Sequence, residues 1–186
     1  MRSVTSALSP SKLPPALCGH LPNGSLEALF RRYGITLHWV EASKPIPGSH
    51  WGEPEAGILA PEASVLGPRT EAGTLFVRAD TPVHSALHEG CHLVCMDADR
   101  RSALHTDAGG EDTEECGVCY LQILLADDLP TVGSQRLCRD MDDWGYSFRL
   151  GSTQAWFEED AADARQWLVD HGLIQPDGEV IWRLRH

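Results

Sequence analysis

Two histidines four residues apart, His88 and His92, are the strongest constraint on how this chain folds. They bound the segment His-Glu-Gly-Cys-His, and residues spaced by four lie on the same face of a helix. Their imidazole rings can then converge on one cation, about 2.0–2.1 Å from each nitrogen in a zinc site. Glu89 points about 100° away around the helix, off the metal but within reach of a water beside it. The segment therefore predicts half of a metal site together with a general base.

The residues that precede this segment favour a helix at that place. Residues 73–79 have the composition of a β-strand, and Thr81 followed by Pro82 is typical of a helix start, with Thr81 as the N-cap. We predict a helix from Pro82 to about Met96. The alternative is a surface helix with two solvated histidines, and a capped helix behind a strand favours the metal site over it.

The third metal ligand must come from another part of the chain, because a catalytic zinc takes three protein ligands and leaves one position for water. Glu114 and Glu115 lie just over twenty residues after the second histidine, at the start of a second predicted helix over 113–126. Two antiparallel helices would bring one of these carboxylates to the histidines. Glu115 is preferred because two small residues follow it, while Glu114 and His105 remain open. For either glutamate, the alternative role is a first-turn acid that complements the helix dipole.

At these positions the chain resembles the ImmA/IrrE-type metallopeptidases. The resemblance runs from about Leu26 to Pro130 and includes a helix ending in Tyr-Gly-Ile, two strands, the His-Glu-x-x-His helix and the later helix from Glu115. It implies a small zincin-like α+β domain, in which a few-stranded sheet packs on the two metal-bearing helices. The site residues that it implies for a gluzincin-like enzyme are His88, His92 and Glu115 as ligands of Zn²⁺, with Glu89 as the base.

A SprT-like protease is the weaker alternative, since it would use His105 as the third ligand. Thr106 stands where that family has a glycine.

The expected activity is hydrolysis of peptide bonds in a peptide or protein substrate. Zinc lowers the pKa of its bound water toward about 7 and polarises a carbonyl, while Glu89 takes the proton. The candidates for stabilising the oxyanion are Tyr120, Tyr146 and Arg149, and the sequence does not select among them. A catalytically silent module that binds a metal or a partner is the alternative function, although such a module has no need of Glu89.

The net charge of −12 repels a phosphate backbone, so no nucleic-acid partner is expected. A membrane helix needs about 20 consecutive apolar residues, and no stretch of the sequence comes near this length. The N-terminus lacks the apolar core of a secretion signal. We therefore expect a cytoplasmic protein without a membrane partner. Its six cysteines are expected to be reduced, with those in the two metal-bearing helices packed as small apolar side chains rather than forming a four-thiolate zinc site.

The chain is expected to form one domain over 25–186, preceded by a flexible arm over 1–24 that is rich in proline and serine. His84 lies one turn before the first histidine and is interpreted as an ordinary polar first-turn residue, rather than a group that contacts a ligand or the substrate. The other predicted elements are a helix from Ser25 to Tyr33, a strand over 35–40, a long loop over 43–70 with at most a short strand near 57–59, a helix over 154–171 and a strand over 178–184.

Overall fold

The computed structural model describes residues 13–49, 54–60, 72–104 and 108–186. Within them lie seven α-helices and one three-stranded sheet, so the fold is of the α+β class. The elements are, in chain order, α1 (Ser25–Arg31), β1 (Thr36–Trp39), β2 (Gly57–Leu59), β3 (Thr74–Val77), α2 (Val83–Cys95), α3 (Ala98–Ala103), α4 (Asp112–Ala126), α5 (Ser134–Trp144), α6 (Thr153–Ala155) and α7 (Ala162–Asp170). None of these helices is long and apolar enough to span a membrane.

The sheet has the order β1-β3-β2, with β1 parallel to β3 and β2 antiparallel to it. All four residues of β3 are buried, and Leu75 lies opposite Leu37 of β1 and Ile58 of β2. A central strand covered on both faces needs a continuous apolar run rather than an alternating one. This explains why the Thr-Leu-Phe-Val segment forms the middle of the sheet.

Helix α2 lies in the core, in contact with β2, β3 and α4. Of its thirteen residues only His88 is not fully buried. Helix α4 in turn contacts α5 and α7, and its apolar body is buried. The two helices predicted to carry the metal ligands are therefore the two central helices of the domain.

The ends of α2 differ from the sequence prediction. Pro82 is the N-cap, whereas the hydroxyl of Thr81 accepts a hydrogen bond from the backbone N–H of Arg78 at 2.9 Å. At the other end, the buried guanidinium of Arg101 donates to the carbonyls of Leu93 and Met96 at 2.9 and 2.6 Å. These bonds satisfy carbonyls that a helix end otherwise leaves unpaired.

Other elements also depart from the predictions. Helices α3 and α5 were not predicted, and the helix expected over 154–171 is divided into α6, a π-helical turn at Trp156–Asp160 and α7. The strand expected over 178–184 is reduced to a single bridge between Ile174 and Val180. The short apolar patterns of these segments do not by themselves distinguish a strand or an unbroken helix from these alternatives.

The described part of the predicted flexible arm, 13–24, lies against the domain. Leu17 forms an antiparallel bridge with Pro82, and Cys18 is buried in a 3₁₀ turn. The backbone N–H of Ala16 donates to the carboxylate of Asp140 at 2.8 Å. Long-range backbone contacts of this kind order a segment whose proline content alone suggests mobility.

Gly90, within the His-Glu-Gly-Cys-His segment, is required by packing. A Cβ atom at this position would overlap the ring of Phe30 in α1. We expect Gly90→Ala to lower the free energy of unfolding by about 1–3 kcal/mol, even though alanine favours a helix over glycine by about 1 kcal/mol. Urea unfolding measures the change, and adding Phe30→Leu to Gly90→Ala is expected to recover part of the loss. A single Gly90→Ala variant as stable as the wild type would contradict this packing.

Candidate metal centre

Helices α2 and α4 bring three potential metal ligands together. Nε2 of His88 lies 3.2 Å from Nε2 of His92 and 3.9 Å from Oε2 of Glu115. Nε2 of His92 lies 3.5 Å from Oε1 of Glu115. Among the described residues, no other group of three His, Cys, Asp or Glu side chains is assembled closely enough to hold a metal ion.

These distances fit a tetrahedral metal ion. Ligand atoms held about 2 Å from a tetrahedral centre lie about 3.3 Å from one another. The separations of 3.2, 3.5 and 3.9 Å lie near this value. Two imidazoles and one carboxylate also form a donor set that zinc accepts, with the fourth position left open.

The structure favours the neutral form of His88, which is the form that binds a metal. Burial, and secondarily the neighbouring His84, lower the pKa of His88 to about 4. The ring is therefore neutral at neutral pH, and one nitrogen is free to donate its lone pair. His92 is buried, while Glu115 is 36 % exposed and reaches the pair from the first turn of α4.

Glu89 lies beside the ligands and is buried. Desolvation, followed by the charges of Glu55 and Glu115, raises its pKa to about 8. In the metal-free protein this carboxyl is therefore mostly protonated at neutral pH, and a cation bound beside it would favour the carboxylate form that a general base needs. Glu89 does not belong to the group of three residues that could hold a metal ion.

A cleft of about 540 Å³ opens over these residues. It is lined by parts of α2 and α4, by Glu55 ahead of β2, and by the segment 144–148 that follows α5. Glu55 lies in the region predicted only as a long loop, and no local pattern distinguishes it from the other acidic residues there. Its position became apparent only from the folded chain.

Of the three candidate oxyanion donors, the structure brings Tyr146 to the cleft. Gly145 ends α5 with a φ of 115°, and the N–H of Tyr146 donates to the carbonyl of Met141 at 3.1 Å. This turn places the Tyr146 ring 5.8 Å from the His88 ring, centroid to centroid. Burial raises the pKa of Tyr146 well above its ordinary value, so its hydroxyl stays protonated and able to donate.

The other two candidates serve different contacts. Arg149 pairs with Asp160 at 2.9 Å and is largely exposed. The ring of Tyr120 packs against Phe157 with centroids 4.5 Å apart. Neither residue lines the cleft.

Glu114, the alternative third ligand, has a separate structural role. Its buried carboxylate accepts two hydrogen bonds from Arg100, at 2.6 and 2.8 Å, and one from Arg185 at 2.9 Å. The other alternative, His105, lies outside the described residues. The small residue Gly117 was expected to let the two metal-bearing helices approach closely. The space beside it is instead filled by Trp167, whose Cε3 would lie 2.7 Å from a Cβ at this position.

The cysteines agree with the predicted packing role. All six are free, and they do not join a metal group in the described part of the chain. Burial raises the pKa of Cys91 and Cys95 well above the ordinary thiol value, so both are protonated. Cys116 is half-buried and lines the cleft beside Glu115.

His84 is not the ordinary polar residue that the sequence predicted. It is buried, and its ring lies 4.9 Å from the Trp144 ring and 5.9 Å from the Tyr146 ring, centroid to centroid. Within the described residues neither of its ring nitrogens has a hydrogen-bond partner. Desolvation lowers its pKa to about 4.

The buried His84 makes the metal-free protein sensitive to acid. Its folded pKa of about 4 lies below the ordinary 6.5, so the unfolded chain binds more protons and stability falls as pH drops through this window. We expect His84→Leu to remove about 1–2 kcal/mol of the stability lost between pH 7.5 and pH 5. Urea unfolding at both pH values, in a chelator, measures the effect. A difference between wild type and variant that is equal at both pH values would contradict it.

Comparison with known proteins finds no matching family model, no matching curated protein and no matching solved structure. The function of this site is therefore inferred from its own residues and their geometry.

Proposed function

We propose that this protein is a zinc-dependent metallopeptidase with a zincin-like domain of the gluzincin-like type. One observation carries the proposal: His88, His92 and Glu115 converge from two core helices, with the carboxyl of Glu89 beside them. A strand, the helix with the His-Glu-x-x-His motif and the helix with the third ligand also follow one another in the order that the ImmA/IrrE-type resemblance implies. A reducing compartment such as the cytoplasm suits the six free cysteines.

Each part of the site has a role in peptide hydrolysis. A bound zinc supplies a Lewis acid that polarises a carbonyl and lowers the pKa of water. Glu89 accepts the proton of the attacking water and passes it to the leaving amine. Tyr146 donates a hydrogen bond to the oxygen that becomes negative during attack. The cleft holds the peptide against these groups.

Metal analysis and cleavage assays test the proposal together. We expect about one zinc per chain after loading and dialysis, and cleavage of casein or of a peptide library that stops with a chelator and returns with zinc. About one zinc per chain with no cleavage would favour the catalytically silent metal-binding module. A chain that binds no zinc, and in which His88→Ala changes neither metal content nor stability, would refute both functions.

The role of Tyr146 gives a kinetic prediction. Tyr146→Phe is expected to lower kcat by about 100-fold with little change in KM, because a donor to the oxyanion acts in the transition state. Tyr120→Phe is the matched control, since its ring lies in the core against Phe157. Steady-state kinetics on one cleaved peptide measure both variants. A rise in KM alone for Tyr146→Phe would instead indicate a role in substrate binding.

A further inference from the structure

Glu55 is a buried carboxylate that the metal site leaves unused. It is 8 % exposed and lines the cleft together with Ser85 and Glu89. The hydroxyl of Ser85 accepts a hydrogen bond from the N–H of Ala56 at 2.8 Å. Burial raises the pKa of the Glu55 carboxyl, and the neighbouring Ser85 side chain lowers it by a smaller amount. Because the Ser85 oxygen accepts from Ala56, its proton is available for Glu55. Ser85 and the Glu55 carboxyl therefore lie together at the cleft surface.

No lysine or arginine in the described part of the chain lies beside the Glu55 carboxyl. Within the described residues it has no ion pair with a lysine or arginine, and none of the residues that line the cleft is a lysine or arginine. Glu89 and Glu115 add two further carboxylates to the lining. Burial raises the pKa of Glu55, so its carboxylate form is stabilised most when a positive charge lies beside it. This carboxylate gains most from a cationic partner that is also removed from water.

An aromatic wall in the same cleft favours the same kind of ligand. Trp144, Tyr146 and Phe148 all line the cleft, and Trp144 is 50 % exposed. The faces of aromatic rings attract ammonium and guanidinium groups, most strongly where water is excluded. The net charge of −12 also attracts cationic molecules toward the protein.

We propose that the cleft binds a positively charged nitrogen of its substrate, an ammonium or guanidinium group, through Glu55 and the aromatic residues of 144–148. The proposal rests on the proposed function, since it assigns the charge of the peptide that the metal site receives. This nitrogen belongs either to the free amino terminus or to a lysine or arginine side chain near the cleaved bond.

Four peptides distinguish the two sources of charge. They share one alanine-rich sequence with lysine or norleucine at the centre, and each is made with a free or an acetylated amino terminus. Calorimetry measures their affinity for the zinc-loaded Glu89→Gln protein, in which turnover is suppressed. We expect at least one cationic form to bind about tenfold tighter than the fully neutral peptide. If acetylation removes the preference, the amino terminus supplies the charge, and if norleucine removes it, the side chain does.

Glu55→Gln, made in the same background, tests the assigned residue. We expect it to reduce the ratio of cationic to neutral affinity by about tenfold, with the thermal midpoint as a check of folding. Glu179→Gln is the matched control, because it removes the same charge from an exposed residue that does not line the cleft. Equal losses in the two variants, or neutral peptides that bind as tightly as cationic ones, would overturn the proposal.

These experiments distinguish a failure of the cation site from a failure of the proposed peptidase function. Binding with a preference that depends on Glu55, in a zinc-loaded wild type that cleaves none of the peptides, would support the cation site and refute hydrolysis. Cleavage of all four peptides at equal rates, with equal affinities, would support hydrolysis and refute the cation site.

Discussion

The adjacent glutamates of α4 are expected to give opposite results when each is changed to glutamine. Glu115→Gln should lower zinc affinity by about 100-fold, because groups that only support metal ligands already contribute about 10–100-fold. Its effect on the metal-free fold should be small, since Glu115 is 36 % exposed. Glu114→Gln should leave zinc affinity nearly unchanged. It should lower the free energy of unfolding by about 2–4 kcal/mol, since it leaves Arg100 and Arg185 without their buried counter-charge.

Two measurements on the same protein samples check this pair. Competition with a zinc chelator gives the affinity, and urea unfolding in excess chelator gives the stability of the metal-free form. Each variant is the control for the other, because both remove one negative charge from the first turn of the same helix. If Glu114→Gln lost zinc and Glu115→Gln retained it, the third ligand would be wrongly assigned.

Glu89→Gln is expected to abolish hydrolysis while zinc stays bound. General-base catalysis contributes about 100-fold to 10,000-fold, and the glutamine side chain has a similar shape but cannot take the proton. We expect kcat to fall within that range, with about one zinc per chain retained. The zinc site should survive because Glu89 is not among the three converging ligands.

Metal content and cleavage rate must be measured together for this variant. Glu89→Asp is the informative companion, because it keeps the carboxyl group but shortens its reach, so an intermediate rate is expected. Cleavage by Glu89→Gln at the wild-type rate would show that another group acts as the base. Loss of zinc in Glu89→Gln would place Glu89 among the ligands instead.

Much of the local structure could be predicted from the chain. The helix that carries His88 and His92 was predicted because their spacing of four, the preceding strand and Pro82 are all neighbours in sequence. Glu115 was preferred over Glu114 as the third ligand, and it is the one of the two that lies near the histidines. The reason for that preference does not hold, since Trp167 occupies the space beside Gly117. The partners that decide the role of Glu114 include Arg185, 71 residues away.

The cleft was less accessible to prediction. Tyr146 could not be selected over Tyr120 and Arg149 because all three are plausible hydrogen-bond donors by residue type alone. Its placement depends on Gly145, whose left-handed conformation turns the chain at the end of α5 toward α2. No sequence pattern pointed to Glu55 as a residue of the cleft, since its burial and its contact with Ser85 exist only in the folded chain.

The sequence by itself determined the placement of His88, Glu89 and His92, because a helix converts a spacing of four residues into a shared face without help from the rest of the chain. Only the tertiary structure decided which carboxylate joins them and which tyrosine faces them. It also decided that Glu55, which has no ion pair among the described residues, lines the same cleft. These placements depend on contacts between residues far apart in the chain. Packing and charge pairing determine them together, so no local sequence pattern predicts them.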